Sequence, residues 1–363
     1  MADSLYVHIP FCRHICHYCD FAKRIYNEEL ADQYLDQLEK EISRIRQDRF
    51  DTVYIGGGTP SALNCRQLEK LFGMLSVFTV GKEFTFEINP ETMTLEKAML
   101  LRKHGVNRVS IGLQTFNETI LKEIGRTHVL LDAENTFRYL KEAGIDNISV
   151  DLMYGFENQT VEQLQQDIEK AVSLDIKHIS IYELEVHEGT VLGHRGYRNC
   201  SDDDLYLMYS TIRKQLPLYG FQQYEISNFA LEGYQSVHNK TYWNYYDYIG
   251  VGLGAAGKEN HIRYENTHSL KEYLAGNWRQ EEIKLSREDE RFESVMMGLR
   301  LLEGINIKEY NKTLGCNILD HYRKPIENNL LNGRLIVDGG YLKLSDTGIY
   351  LMNDVLVDFM VWL

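Results

Sequence analysis

The 363-residue sequence has no hydrophobic run long enough to cross a membrane. Its longest apolar stretches fall well short of the ~18 residues that a spanning helix needs. The start, Met-Ala-Asp-Ser, also lacks the basic and apolar regions of a secretory signal peptide. We therefore expect a cytoplasmic protein that is not an integral membrane protein.

Positive charge is scarce as well. Lys and Arg number 39 against 53 Asp and Glu, which gives a formal net charge of -14. A chain with this balance is not attracted to phosphate backbones, and the sequence contains no evident basic stripe. We therefore do not expect nucleic acid as a partner.

Paired cysteines of the kind that hold zinc are also missing. Three of the six cysteines are dispersed along the chain: Cys65, Cys200 and Cys316. The other three, Cys12, Cys16 and Cys19, form a C-x3-C-x2-C run directly after a strand-like segment. Common zinc modules bring their ligands in two pairs, whereas three thiolates leave one iron of a [4Fe-4S] cluster open to another ligand. A cluster is therefore favoured over a zinc site completed by His14 or His17, and over three incidental buried thiols.

From the N-terminus to about residue 220, short β-rich runs alternate with amphipathic segments. Six strands are predicted, at residues 5–10, 52–57, 83–89, 108–114, 147–154 and 178–185. Apolar residues spaced by three and four between Leu30 and Ile45 predict a helix after the first strand. Six βα units are too few for a closed eight-stranded barrel. The pattern predicts an α/β fold with a partial (β/α)6 TIM-like barrel over residues 1–220, and a doubly wound sheet is the alternative.

Two further regions follow the predicted barrel. Residues 221–280 are rich in Tyr, Asn and Gly, and we expect irregular structure here that lines the barrel mouth. Residues 281–363 return to a helical pattern from Arg287, and residues 334–344 read as a hairpin around Asp338-Gly339-Gly340. This order predicts a small helical, winged-helix-like C-terminal domain.

Polar residues follow the predicted strands at the ends where parallel barrels carry their active sites. The second strand ends in Gly56-Gly57-Gly58-Thr59-Pro60, whose glycines let backbone groups approach a ligand closely. Glu87, Gln114 and Asp151 stand at or near the ends of the next three strands. Alone, the glycine string is better explained by a tight structural turn, and each polar residue is equally explained by a helix cap or a rim contact. Together they predict one polar site.

The cysteine run and these strand ends resemble the radical S-adenosylmethionine (SAM) superfamily. More closely, the quoted motifs, Arg126 and the stretch Asp151-Leu-Met-Tyr-Gly look like its coproporphyrinogen dehydrogenase (HemN/HemW) branch, over nearly the whole chain. The resemblance implies a [4Fe-4S] cluster held by Cys12, Cys16 and Cys19, and SAM as a second cofactor. The residues that it places around SAM are Tyr6, Tyr18, Gly57, Gly58, Thr59, Glu87, Gln114, Arg126 and Asp151.

Two features separate the haem chaperones of this family from its oxygen-independent coproporphyrinogen III oxidases. In the oxidases one more cysteine extends the run, at the position of Phe21 here, and a longer segment precedes it. Residues 237–243 resemble the H-N-x-x-Y-W motif associated with haem in the chaperones. The resemblance implies that His238 ligates haem iron while Tyr242 and Trp243 face the porphyrin. The alternative is a packed His-Asn turn beside an aromatic core.

The resemblance therefore implies a haem chaperone that passes haem to an apo-haemoprotein, with transient contact to membrane haemoproteins possible. The oxidase is the alternative, so whether the chain is an enzyme stays open; a zinc or purely structural protein is a third class. Both a monomer and a dimer are compatible with the sequence. Relatives usually read Gly-Ala-His-Gly where this chain has Gly254-Ala255-Ala256-Gly257, and we assign no chemical role to Ala256.

Overall fold

The chain folds around one large mixed sheet. The computed structural model describes residues 2–360, so residue 1 of the predicted 1–220 region and residues 361–363 of the predicted 281–363 region lie outside the described residues. The strands are β1 Ser4–Ile9, β2 Phe11–Cys12, β3 Arg24–Ile25, β4 Arg49–Gly57, β5 Thr79–Ile88, β6 Arg108–Gln114, β7 Ile148–Tyr154, β8 His178–Glu183, β9 Gln222–Gln223, β10 Asn228–Ala230, β11 Tyr248–Val251, β12 Ala256–Glu259, β13 Ile262–Asn266, β14 Arg279–Lys284, β15 Ile305–Asn306, β16 Leu335–Asp338 and β17 Tyr341–Leu344.

Helices connect and cover these strands. They are α1 Glu28–Ile42, α2 Cys65–Leu75, α3 Leu95–Lys103, α4 Glu118–Glu123, α5 Leu130–Glu142, α6 Val161–Ser173, α7 Val191–His194, α8 Asp202–Gln215, α9 Val237–Trp243, α10 Leu270–Leu274, α11 Arg287–Gly298, α12 Ile307–Leu314, α13 Ile318–His321, α14 Arg323–Leu331, α15 Asp346–Tyr350 and α16 Met352–Met360. Helix α1 begins at an N-cap, Asn27, whose side chain accepts a hydrogen bond from Leu30 N. None of the helices within residues 2–360 has both the length and the apolar character needed to span a bilayer.

The sheet confirms the predicted partial (β/α)6 barrel. Its strand order is β14-β13-β12-β11-β1-β4-β5-β6-β7-β8-β10-β9, and the strands from β11 to β8 pair in parallel. The six predicted strands, β1 and β4 to β8, lie side by side in chain order, whereas a doubly wound sheet reverses its order at a switch point. The end strands β14 and β9 do not pair with each other in the described part of the chain, so the sheet stays open.

The two faces of the parallel strands differ in polarity because side chains alternate along a strand. One face carries apolar residues such as Val7, Ile55 and Ile111, which pack with the surrounding helices in a single hydrophobic cluster. The residues on the other face are polar and largely buried, and they include Ser4, Thr52, Glu83, Arg108, Ser149 and His178. The curved sheet therefore encloses a polar lumen rather than an apolar one.

The expectation of irregular structure over residues 221–280 is wrong. This region contributes β9 and β10 at one end of the sheet and β11 to β14 at the other, with α9 and α10 between them. Strand β11 pairs in parallel with β1, and β12, β13 and β14 then add on antiparallel. The abundant glycines and asparagines mark the turns between these short strands, which made the stretch resemble a loop.

The C-terminal part has a hydrophobic core of its own. Buried residues from Val295 to Phe359 form a cluster separate from that of the main sheet. The predicted helix from Arg287 is α11, and the predicted hairpin is β16 and β17, which pair antiparallel across Gly339 and Gly340. Strand β15 completes a three-stranded sheet. The helices with this small sheet agree with the winged-helix-like prediction.

Candidate functional site

The three clustered cysteines lie in one loop that leaves the end of β1. Cys12 is buried in β2, whereas Cys16 and Cys19 are half-buried, and all three are free thiols. Burial raises the pKa of Cys12 to about 11, against a smaller lowering by a hydrogen bond to Thr59. Burial also raises the pKa of Cys19, which the nearby Lys23 partly offsets. The loop thus gathers three free thiols, of which Cys12 and Cys19 stay protonated at neutral pH when no metal is bound.

The two histidines of the cysteine loop take different positions. His14 is exposed, and His17 is half-buried with Nδ1 2.7 Å from the carbonyl oxygen of Glu123. The His17 N–H donates to the Ile124 carbonyl over 2.8 Å, which ties the loop to the end of α4. No group of three or more His, Cys, Asp or Glu side chains within residues 2–360 is arranged to hold a single metal ion.

The Gly-Gly-Gly-Thr-Pro loop after β4 lies directly against the cysteine loop. The Gly58 N–H donates to the Ile9 carbonyl over 2.9 Å, and the Thr59 N–H donates to the Phe11 carbonyl over 2.8 Å. A Cβ added at Gly58 would stand 2.9 Å from Cys12 Sγ and 2.8 Å from the Pro10 carbonyl carbon. Only glycine therefore fits here, because a side chain would push the two loops apart.

Glu87 joins the same loop from the end of β5. Its carboxylate accepts a 2.6 Å hydrogen bond from the Tyr54 hydroxyl at Oε1 and a 3.0 Å hydrogen bond from the Gly57 N–H at Oε2. Burial raises the pKa of Glu87 to about 7; the nearby Asp151 adds to the rise, and the hydrogen bond from Tyr54 opposes it. Glu87 is therefore poised to exchange a proton near neutral pH while it holds the glycine loop.

Gln114 and Asp151 stand on the next two strands. Gln114 has a φ of 66°, which is uncommon for a residue with a side chain, and it lies at a register irregularity between β6 and β7. The Asp151 carboxylate accepts from the Ser110 hydroxyl over 3.0 Å. Burial raises the pKa of Asp151, while hydrogen bonds from Ser180 and Ser110 oppose the rise. Backbone distortion at Gln114 is of the kind that aims a side chain into a site.

Arg126 reaches the cysteine loop from the segment after α4. Its guanidinium donates from Nη1 to Cys16 Sγ over 3.7 Å and to Asn89 Oδ1 over 3.1 Å, and from Nη2 to the Gly112 carbonyl. Its Nε is buried and has no hydrogen-bond partner among the described residues. The side chain thus brings a buried positive charge and a free donor to the cysteine loop.

The tyrosines assigned to the site are both half-buried. The Tyr6 hydroxyl lies 3.0 Å from His8 Nδ1, and His8 Nε2 lies 2.8 Å from the Ala22 carbonyl in the cysteine loop. Burial lowers the pKa of His8 to about 4, so the ring is neutral. Burial raises the pKa of Tyr18, and the neighbouring Cys16 raises it further. Free thiols, a buried cation and a glycine-lined approach fit a thiolate-held cluster with an anionic ligand.

The His-Asn-x-x-Tyr-Trp segment forms the short helix α9, which packs against β4 and β5. Glu83 of β5 accepts hydrogen bonds from the Val237 N–H over 2.9 Å, the His238 N–H over 3.2 Å and the Ser236 hydroxyl over 3.3 Å. A carboxylate at a helix N-terminus satisfies backbone donors that have no partner within the helix. Helix α9 is thus anchored by a distant strand as well as by its own sequence.

His238 is almost fully enclosed, with 1% of its surface exposed. Its Nδ1 lies 2.7 Å from Thr52 Oγ1, and its Nε2 lies 2.7 Å from the Tyr242 hydroxyl. The Tyr54 ring packs against the imidazole at a centroid distance of 5.0 Å. Burial, with a contribution from Arg108, lowers the pKa of His238 to about 3, so the imidazole is neutral.

Beside α9 lies an aromatic cavity of about 340 Å³. We call it the aromatic cavity; its walls are Tyr6, Tyr242, Trp243, Tyr245, Tyr246, Tyr248, Ala256, Lys258, Arg263, Glu293 and Met297. Of these residues the sequence pointed to Tyr6, Tyr242 and Trp243 as site residues. Tyr245, Tyr246 and Tyr248 carried a weaker signal, the dense tyrosines that follow Trp243, and the charged members from β12, β13 and α11 carried none. Ala256 lies in the wall, where its small side chain leaves room.

Two family matches cover most of the chain. Residues 6–171 match the Radical SAM superfamily, and residues 285–351 match the HemN C-terminal domain. A Lactococcus lactis protein named heme chaperone HemW is 36% identical over 370 residues, which span 99% of this chain and 97% of that protein. The Bacillus subtilis protein of the same name is 35% identical over 371 residues, 96% of this chain and 95% of that protein.

A solved structure shares the fold. The coproporphyrinogen III oxidase (HemN) of Escherichia coli, described as a radical SAM enzyme, matches with a TM-score of 0.87 over 99% of this chain and 90% of that chain, at 23% sequence identity. Membership in the superfamily implies a [4Fe-4S] cluster and SAM as cofactors. The chain belongs to the radical SAM superfamily and, within it, to the family whose members carry the name heme chaperone HemW.

Proposed function

We propose that this protein is a cytoplasmic haem chaperone, which binds haem and passes it to an apo-haemoprotein. The observation that carries the proposal is the aromatic cavity beside α9, in a chain that is similar over nearly its whole length to proteins named heme chaperone HemW. A cavity walled by tyrosine and tryptophan rings suits a large planar, apolar ring. The haem-binding segment of the proposal comprises His238, Tyr242 and Trp243.

The cofactor site of the proposal lies at the ends of the parallel strands. Cys12, Cys16 and Cys19 would hold the [4Fe-4S] cluster, and the contact of Arg126 with Cys16 would stabilise the thiolate negative charge. SAM would lie among Tyr6, Tyr18, Gly57, Gly58, Thr59, Glu87, Gln114, Arg126 and Asp151. When bound and reduced, such a cluster would supply SAM with an electron for radical chemistry. Glu87 would fix the glycine loop at this site, and the Arg126 Nε offers an unused donor.

Both functional regions share one residue in this arrangement. The Tyr6 hydroxyl is hydrogen-bonded to His8, and His8 contacts the cysteine loop through the Ala22 carbonyl. The Tyr6 side chain also lines the aromatic cavity. This contact supports a protein in which the cofactor site lies next to the aromatic cavity that would bind haem. A structural change at the cofactor site can therefore reach the aromatic cavity through Tyr6, and regulated transfer of haem requires such a link.

The test is a haem titration of anaerobically reconstituted protein, followed by mixing with an apo-haemoprotein and a parallel assay of coproporphyrinogen III decarboxylation. We expect one haem bound per chain, transfer of that haem to the acceptor, and no decarboxylation. Decarboxylation with consumption of SAM and without stable haem binding would replace the chaperone with the oxidase. Tetrahedral zinc at the cysteines, with no SAM binding, would exclude both.

A further inference from the structure

We infer that Tyr242, rather than His238, supplies the protein ligand to the iron of ferric haem, and that His238 is a positioning residue that holds the Tyr242 oxygen. The inference rests on the proposed function and names the binding mode at the same site. It reverses the roles that the sequence motif suggests for these two residues. It is carried by the hydrogen bonds around His238 and by the walls of the aromatic cavity.

The hydrogen bonds of Thr52 assign the ring proton of His238. The Thr52 hydroxyl donates to Ser4 Oγ over 2.7 Å, so its oxygen is left to accept from His238, also over 2.7 Å. Nδ1 of His238 therefore carries the ring proton, and Nε2 is an acceptor.

The Tyr242 hydroxyl is the donor to this nitrogen. Because Nε2 of His238 has no proton, the 2.7 Å contact is a hydrogen bond from the phenol to the imidazole. This bond polarises the O–H group and makes the oxygen a better electron donor to a metal. Both imidazole nitrogens are used, so an iron atom could reach Nε2 only after the Tyr242 ring had moved away.

Tyr242 and His238 also differ in access to the aromatic cavity. Tyr242 lines the cavity, whereas His238 is not among the lining residues. The Tyr248 ring packs against the Tyr242 ring at a centroid distance of 4.7 Å and nearly perpendicular to it. Tyr242 is therefore the member of the pair that a ligand in the cavity meets.

The cavity walls suit a porphyrin that bears carboxylates. Of the lining side chains Lys258 and Arg263 are cationic and Glu293 is anionic, so positive charge is in excess. Lys258 Nζ now lies 2.7 Å from Asp247, and Arg263 pairs with Glu293, so both cations can exchange these partners for porphyrin carboxylates. The buried indole N–H of Trp243 has no acceptor among the described residues and offers a further donor.

The ligation step balances without a redox partner. Ferric haem in neutral water carries hydroxide on its iron. The Tyr242 oxygen forms the new bond to iron, the iron–hydroxide bond breaks, and the phenol proton leaves with the hydroxide as water. The iron stays ferric. His238 thus acts on the Tyr242 oxygen before the iron–oxygen bond forms, through the hydrogen bond that its Nε2 accepts from the phenol.

Tyrosinate is a known axial ligand of haem and a hard, anionic oxygen donor, which favours ferric over ferrous iron. A neutral imidazole ligand accommodates both oxidation states. We therefore expect the wild-type protein to bind ferric haem at least about tenfold more tightly than ferrous haem. Reduction of the haem iron would then weaken the binding of haem.

The test compares wild-type protein with Tyr242→Phe and His238→Ala, by titration with ferric and ferrous haem and by resonance Raman spectroscopy of the iron–phenolate vibrations. Tyr242→Phe is expected to lose these vibrations and at least about tenfold in affinity for ferric haem. His238→Ala is expected to keep the vibrations, shifted in frequency, with a smaller loss. Tyr234→Phe, on an exposed tyrosine outside the cavity, serves as the unchanged control.

Several results would overturn the assignment. Iron–phenolate vibrations that persist in Tyr242→Phe and vanish in Tyr248→Phe would move the ligand to Tyr248. An imidazole-ligated spectrum that is lost only in His238→Ala would restore His238 as the ligand. If Tyr242→Phe fails to fold, equal affinity of the wild type for ferric and ferrous haem still refutes the inference. Failure of the wild type to bind haem at all would instead reject the proposed function, and the inference with it.

Discussion

The cysteine loop and the aromatic cavity are built in opposite ways. The cysteine loop meets the glycine loop through backbone hydrogen bonds at the ends of the neighbouring strands β1 and β4. The aromatic cavity draws its walls from residue 6 to residue 297, on β1, α9, β11, β12, β13 and α11 and the turn after α9. The first site is therefore assembled by local chain geometry, and the second depends on the packing of distant elements.

The two regions also differ in how their polar groups are satisfied. At the cysteine loop the buried Arg126 Nε has no partner among the described residues. At α9 each nitrogen of His238 is engaged, Glu83 accepts three hydrogen bonds from the start of the helix, and the buried Trp243 Nε1 has no partner among the described residues. Each region thus keeps a buried donor for a further group, and α9 is in addition held in place by β5. Substitutions in the cysteine loop should therefore affect the cluster iron and not haem, whereas substitutions at α9 should affect haem binding and not the cluster iron.

Removal of the three thiols of the cysteine loop should have the largest effect, and this effect should be confined to the cysteine loop. We expect the triple variant Cys12→Ser, Cys16→Ser and Cys19→Ser to lose all cluster iron, because serine does not replace a thiolate ligand, and to keep binding haem. Iron and sulfide analysis after anaerobic reconstitution, with a haem titration, measures both. Cys65→Ser, on a half-buried cysteine of α2, is the control. Loss of haem binding in the triple variant would show that the regions are not separable.

Glu83→Ala should disrupt the start of α9. The substitution leaves three donors at the start of α9 without their acceptor, and we expect the free energy of unfolding to fall by roughly 3–5 kcal/mol. Haem affinity should fall as well, while iron content stays unchanged. Urea denaturation and haem titration provide the measurements. Glu282→Ala, on the exposed side of β14, is the control, with a change within about 0.5 kcal/mol. An equally small effect of Glu83→Ala would mean that α9 does not depend on β5.

Glu87 should make stability depend on pH at the cofactor side. Its pKa of about 7 in the folded protein lies above the 4.5 of a free glutamate, so the unfolded chain loses the proton first. Stability of the cluster-free protein should therefore fall as pH rises from about 4.5 to 7, by at most about 3 kcal/mol. Glu87→Gln should remove this part of the slope, as urea denaturation at several pH values would reveal. Identical slopes in the two proteins would contradict the raised pKa.

The smallest expected effect concerns the local cap of α9. Ser236 Oγ accepts from the Asn239 N–H over 3.2 Å, and Ser236→Ala should lower the free energy of unfolding by about 1 kcal/mol. The matched control is Ser286→Ala at the start of α11, where Ser286 Oγ accepts from Asp289 N–H over 3.1 Å. Both variants should lose similar stability, but only Ser236→Ala should weaken haem binding. A loss of stability in Ser236→Ala as large as that in Glu83→Ala would contradict the expected order of the two anchors.

Much of the fold could be predicted from the sequence because each βα unit repeats a local pattern. The run at residues 108–114 was predicted with the bounds that β6 has, and the other five strands differ by at most a few residues at an end. The 221–280 region was missed because β9 to β12 have only two to four residues each. Such short strands carry too little alternation to be recognised, and their pairing with β1 and β8 is decided by tertiary contacts.

The candidate site divides in the same way. The convergence of Glu87 with the glycine loop follows from adjacent parallel strands, whose ends must meet at one edge. The contact of Arg126 with Cys16 does not follow, because it depends on where the loop after α4 turns back. Glu83, Lys258 and Arg263 had no motif to mark them. Their importance comes from neighbours that are far away in the chain.

The sequence by itself determined the three-cysteine loop after β1, the six βα units and the glycine loop, because spacing along the chain defines each of them. Only the tertiary structure decided which groups surround His238 and Tyr242. Thr52, Glu83 and Tyr242 come from separate parts of the chain, and burial forces each polar group among them to find a partner. Because of this requirement the His238 imidazole lies in the interior and the Tyr242 ring lies at the wall of the aromatic cavity.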